Sequence, residues 1–264
     1  MGQAQSRPAR RVPAMCSVVI LLRPGHAWPV LFAANRDEMT DRPWAAPGRH
    51  WPDRPRVVAG RDELAGGSWL GLNDRGVLAG VLNRMNSLGP LPGRRSRGEL
   101  VLEALDHADA AAAAAALGDL DPAAYRPFNM VVADSHDAFW LRNLGHRNGW
   151  VEVDRLPPGL SMITAYDRND PASRRIRTYL PRFEAAAAPD PGADRWIDWE
   201  RLLASREFDP DGDPTDAMTV VTDYGFETLS GSLIALPAPE AGRRAVWRFV
   251  PGRPGEHPWG AVAL

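Results

Sequence analysis

The sequence has no lysine: all 31 of its basic side chains are arginine. That excludes a Schiff-base lysine, a Walker-type phosphate lysine and a Ser–Lys dyad. Cysteine occurs once, at Cys16. One thiol excludes an intrachain disulfide and any zinc site that needs two thiolates. It fits a reducing compartment, and a cytoplasmic location is expected. No apolar run approaches the ~20 residues of a membrane span. Excess charge of either sign is also lacking, with 31 basic against 33 acidic residues and a net charge of -2. A nucleic-acid partner is therefore not expected, because such proteins carry a basic field. The six histidines (His26, His50, His107, His136, His146 and His257) are scattered without ligand spacing. No metal site and no cofactor are expected.

What is present is an ordinary globular composition, 44% hydrophobic and 24% charged over 264 residues. A chain of this length buries about 70% of the surface it exposes unfolded. Arg7, Arg10 and Arg11 precede an apolar run from Val12 to Leu22, but that run is short and no A-x-A site follows it before Arg23. It is not read as a signal peptide. Met1-Gly2 opens a six-residue myristoylation pattern that is too common to carry weight. Residues 1–14 are read as a disordered tail or a start placed too early, with the working start at Met15. Residues 15–264 are read as one domain.

Hydrophobic patterning predicts strands over Cys16–Leu22 and Trp28–Ala34, turned by Pro24-Gly25 into a hairpin, with Asn35-Arg36-Asp37-Glu38 at its exit. Residues 42–56, rich in Pro, Trp and Arg, read as an irregular loop. Ser68–Gly71 and Val77–Leu82 read as a second hairpin across Asn73–Gly76. Ser96 and Glu99 have capping-box spacing before one alanine-rich helix over Leu100–Leu117. A third hairpin, Asn129–Ala133 with Ala138–Arg142, is followed by a helix capped by Ser173 and another over Arg195–Ser205. Thr219–Thr222, Ser232–Leu236 and Ala245–Phe249 read as closing strands. Strands at both ends with helices between them indicate an α+β fold.

Cys16 is the first chemical candidate. If translation starts at Met15 and that methionine is removed, Cys16 becomes the N-terminus. Its thiol, of pKa about 8.5, then lies beside an amine of pKa about 8 that can take the proton. The other reading is a buried cysteine acting as a small hydrophobe. Asn35–Glu38 lie near Cys16 if the first two strands pair. Arg36 would favour the thiolate, and Asp37 would accept a hydrogen bond from the amine. The plainer reading is a surface charge cluster. Asn83 ends an apolar strand, where its amide either faces a developing oxyanion or serves the turn. Ser68 is not in a G-x-S-x-G elbow and is not proposed as a nucleophile. Trp69 reads as core.

Met15-Cys16, Asn35-Arg36-Asp37-Glu38, Gly67-Ser68-Trp69-Leu70-Gly71, Ser96-Arg97-Gly98 and Phe128–Asp134, in that order, resemble the NRDE-motif family, which takes in the transport and Golgi organisation protein 2 homologues. That family is similar to N-terminal-nucleophile hydrolases of the choloylglycine and penicillin V acylase kind. The resemblance implies a four-layer αββα sandwich with Cys16 as nucleophile, Arg36 and Asp37 beside it and Asn83 as the oxyanion asparagine. It places Asn35, Glu38, Trp69 and Asn129 at the substrate. The sequence departs from the pattern in three places. Fourteen residues precede Met15; Ser161–Ala165 lacks a second site asparagine, with Asn169 nearby; and Glu227 stands where an arginine would complete an acylase-like site. Two functions are compatible with these residues. One is a cysteine hydrolase acting on a linear amide. The other is a non-catalytic carrier or trafficking protein with haem as the cargo, Cys16 serving as thiolate ligand and arginines pairing with propionates.

Overall fold

Alternation along the first two strands divides their side chains between two layers. In β1 (Ser17–Leu22) and β2 (Val30–Met39), Val18, Ile20, Phe32 and Ala34 face one core, while Val19, Leu31 and Ala33 face another. The computed structural model describes residues 16–146 and 149–264, so the readings of residues 1–14 lie outside the described residues.

Two antiparallel sheets follow. The first comprises β1, β2, β10 (Gly159–Ile163), β11 (Phe226–Leu236), β12 (Val246–Val250) and β13 (Gly260–Ala261), in the order β10-β1-β2-β11-β12-β13. The second is formed by β3 (Trp44–Gly48), β4 (Val57–Asp62), β5 (Leu70–Asn73), β6 (Leu78–Asn83), β7 (Phe128–Ala133), β8 (Ala138–Asn143) and β9 (Glu152–Arg155), in sequence order. Their facing sides meet in a core of Val18, Ile20, Phe32, Leu78, Leu82, Val131 and Ile234. Helices α1 (Gly98–Leu105) and α2 (Ala110–Gly118) cover the outer face of the second sheet. Helices α3 (Arg174–Ala185) and α4 (Ile197–Leu203) cover the outer face of the first. The chain therefore forms the expected αββα sandwich. Among the described residues, no helix is long and apolar enough to cross a membrane.

Several local expectations are corrected. The tetrad Asn35–Glu38 lies inside β2, paired on its far side with β11, and not at a hairpin exit. Residues 42–56 are not wholly irregular, since Trp44–Gly48 pairs with β4. The single alanine-rich helix is two. The carbonyls of Leu105 and His107 accept from Asn73 Nδ2, and Asp109 caps α2 by accepting from Ala112 N. Those side chains satisfy the orphan groups on both sides of the break. Ser96 and Glu99 form no capping box; the α1 cap is Arg97, and Glu99 pairs with Arg95 instead. Ser173 does cap α3, accepting from Ile176 N, and the helix continues past Pro181 to Ala185. Thr219–Thr222 forms no strand, and β11 takes up the pairing from Phe226 onward.

Backbone contact explains two of the sequence motifs. The Gly67-Ser68 loop lies directly on the start of α1, with Ser68 N donating to Gly98 O at 3.0 Å. A Cβ on Gly67 would meet the Gly98 carbonyl carbon at 2.5 Å, and one on Gly60 would meet the Trp69 ring at 2.4 Å. Gly67→Ala should therefore lower stability by about 1–3 kcal/mol, because backbone cannot give way as a side chain can. Urea unfolding measures this, and an unchanged midpoint would contradict the packing.

Candidate active site around Cys16

Cys16 immediately precedes β1 and shares the inter-sheet face with Val18. Arg36 and Glu38 continue the same face of β2, whereas Asn35 and Asp37 point the other way, into the α3/α4 layer. The four-residue string thus serves two layers.

On the helix side, the Asn35 amide donates to Leu203 O at 2.9 Å and Met218 O at 2.8 Å. The fully buried Asp37 carboxylate accepts from Arg175 Nη1 at 2.9 Å and Thr228 Oγ1 at 2.6 Å. Arg175, also fully buried, donates to Ser17 Oγ at 2.6 Å and Thr215 O at 2.7 Å. Burial pushes the Asp37 carboxyl upward, and Arg175 and Thr228 oppose that shift. Asp37 touches the thiol through its backbone: Cys16 Sγ donates to its carbonyl oxygen at 3.5 Å.

On the cleft side, the Arg36 guanidinium lies 4.3 Å above the Trp69 ring. Trp69 is held edge-on to Trp44 at 5.9 Å and covers Gly60. Cys16, Arg36, Glu38, Trp69 and Asn83 line one cleft of about 380 Å³. A narrow void of about 20 Å³, lined by Phe32, Leu70 and Ser232, lies on the inner side of Cys16, Arg36 and Trp69. Glu38 faces Glu227 across β2 and β11. This like-charged pair is compensated by Arg42, 3.8 Å from Glu38, and by Arg253, 2.6 Å from Glu227.

Asn129 lies elsewhere. It is fully buried, donates to Thr164 O and Tyr166 O, and accepts from Arg84 and Trp140. Asn169 sits at φ 55° and bonds the backbone of β10 at Met162 N and Leu160 O, so it does not take the place of a second cleft asparagine. Sequence reasoning missed Arg97 as a cleft residue. Its Nη1 donates to Ser87 O, Ser87 Oγ and Pro127 O, tying the segment after β6 to the start of β7. Burial, with Arg126 nearby, lowers its pKa to about 10. The Ser96-Arg97-Gly98 motif was the available signal.

The electrostatics set the state of the thiol. Burial first, then the Asp37 charge, pushes Cys16 from its ordinary 9.0 up to about 12, against the pull of Arg36. At neutral pH the thiolate fraction is then roughly one in 10⁵.

A family profile described as Transport and Golgi organisation 2 matches residues 15–179. A Mus musculus Transport and Golgi organization 2 homolog is 37% identical over 79 residues, covering 29% of this chain and 28% of the relative. A Bos taurus homolog is 36% identical over 118 residues, covering 41% and 40%. The matched segments thus span well under half the length of these relatives. Among solved structures, the Caenorhabditis elegans ortholog of N-acylethanolamine-hydrolyzing acid amidase superposes with a TM-score of 0.57 at 13% identity, covering 86% of this chain and 95% of that one. A variant of conjugated bile acid hydrolase from Clostridium perfringens gives 0.57 at 10% identity, covering 94% and 92%. These two likenesses are of fold.

Because the chain has one cysteine, alkylation reads the Cys16 thiol directly. With the pKa raised to about 12, the iodoacetamide rate of the full chain should rise about tenfold per pH unit from pH 7 to 10. A plateau near pH 8.5 would contradict the burial argument.

Proposed function

The chain belongs to the Transport and Golgi organisation 2 family, and on that premise we propose that it is an N-terminal-cysteine hydrolase of a linear amide, latent until the peptide bond before Cys16 is cut. The observation that carries this reading is the meeting of Cys16, Arg36 and Asn83 on one cleft, in a fold shared with a named acid amidase ortholog and a named bile acid hydrolase. We assign residues 15–264 to one working domain and place it in the cytoplasm, where the thiol stays reduced.

Cutting before Cys16 creates an α-amine of pKa about 8, close enough to take the thiol proton. The thiolate attacks the amide carbonyl carbon. The tetrahedral oxyanion is accepted by the Asn83 amide, with the Arg36 charge beside it. The C–N bond then breaks, the leaving amine takes the proton from the cysteine ammonium, and a thioester remains. Water, deprotonated by the same amine, hydrolyses the thioester and restores the thiol. Trp69 packs against the substrate, and the exposed Leu64 and Leu91 at the cleft offer surface to an acyl group. Glu38 borders the cleft and, on this reading, contacts the substrate. Asn35, Asp37 and Asn129 support the site from neighbouring layers.

An N-acylethanolamine, since a structural neighbour is named for hydrolysing one, and its carboxylate counterpart, an N-acylglycine, are the first pair of substrates to test. The chain beginning at Cys16 should turn one over, and Cys16→Ala and Cys16→Ser should lower kcat by about 10³-fold or more. Retained turnover in Cys16→Ala contradicts the proposal.

The arginines on the cleft favour a second reading for the uncut chain, a non-catalytic small-molecule carrier with haem as cargo held by its propionates, since a thiol raised to about 12 makes a poor thiolate ligand. A saturable haem spectral shift in the full chain, weakened in Arg36→Gln, supports it. A linear, unsaturable response counts against it.

A further inference from the structure

Six arginines line the Cys16 cleft, and two of them have carboxylate partners: Arg42 pairs with Asp62 at 2.6 Å, and Arg95 with Glu99 at 2.6 Å. Arg36, Arg94, Arg97 and Arg126 make no ion pair among the described residues. Arg97 and Arg126 are held by neutral acceptors only, the former by Ser87 and Pro127, the latter by the carbonyls of Asn86, Leu88, Gly89 and Pro90. The two guanidiniums repel each other, and burial of Arg97 sharpens that repulsion. Asp37, the buried carboxylate nearest in sequence, is engaged by Arg175.

Arg36 adds an independent observation. It is 6% exposed, it lines the cleft, and its Nη1 has no hydrogen-bond partner among the described residues. A buried donor without an acceptor is costly, and so is a buried cation that shares its counter-charges, Glu38 and Asp62, with Arg42. A neutral ligand would deepen both costs by excluding water from the four cations. A ligand with an anionic oxygen would relieve both.

We propose that the ligand of this cleft carries a carboxylate or phosphate group, received by Arg36 and Arg97, with Arg94 and Arg126 strengthening the field around it. The proposal rests on reading the Cys16 cleft as the substrate site, and it names the charge class of what enters. Carboxylate and phosphate share the required chemistry, since both present planar or tetrahedral oxygens to a guanidinium fork. The arginines then select the ligand, while Cys16 and Asn83 act on it.

The test uses full-chain Cys16→Ala, which cannot turn over a ligand, and isothermal titration with octanoate, octyl phosphate and neutral octanamide at low and high salt. At least one anion should bind about tenfold or more tightly than octanamide, and that preference should shrink as salt rises. The stronger binder of the two identifies which oxygen group the fork fits. Arg97→Gln should remove about tenfold of the anion affinity and leave octanamide unchanged. Arg94 is exposed and makes no ion pair among the described residues, so Arg94→Gln should fold normally and cost about threefold at low salt. It decides the question if Arg97→Gln does not fold. Arg243→Gln, outside the cleft, should change nothing. Equal binding of anions and octanamide, absence of anion binding, or an anion preference untouched in both cleft variants overturns the proposal. Those results would leave amide turnover by the Cys16-started chain standing. Anion selectivity without turnover would overturn the hydrolase reading alone.

Discussion

The ion pair of Arg175 with Asp37 is the interaction on which the site depends. Both groups are fully buried, and they join α3 to β2. The same guanidinium reaches Ser17 at the start of β1 and the Thr215 carbonyl, and Thr228 closes the network from β11. Three neighbouring strands and one helix are thereby fixed within a residue or two of Cys16. Removing either charge would strand the other in the interior, a loss of about 3–5 kcal/mol. The same pairing aims the Asp37 carboxylate away from the cleft and leaves its carbonyl oxygen to meet the thiol.

That arrangement places the Cys16 thiol where it is least reactive. Burial raises the Cys16 thiol further than Arg36 lowers it. An uncut chain therefore holds a neutral thiol among arginines that make no ion pair among the described residues. A free α-amine changes the balance, because it supplies a base on the nucleophile's own residue. On the proposed function, hydrolysis and carriage belong to two covalent states of one cleft, divided by the bond before Cys16.

Much of this was legible in the sequence, and the reasons differ by residue. The β1–β2 hairpin and the Ser173 cap followed from local chemistry, namely a β-branched apolar run, a Pro-Gly turn and a hydroxyl before an amphipathic helix. The division of Asn35–Glu38 between two layers follows from strand periodicity, but it becomes visible only once β2 is known to run through to Met39. The break between α1 and α2 was hidden because the stop is made by Asn73, on a distant strand. Asn129 has the composition of a site residue and the surroundings of a core latch, since its partners come from three other segments. Arg97 was overlooked because its role depends on Ser87 and Pro127 lying on either side of it. In each case the missing information was a long-range contact.

The central claim, that Cys16 becomes the nucleophile at a free N-terminus, is tested most directly by the intact mass and N-terminal sequence of the protein purified from its native host. The account predicts a chain that begins at Cys16. A functional protein that still carries the residues from Gly2 to Met15 would contradict it, and the cleft would then be a binding site whose thiol stays protonated.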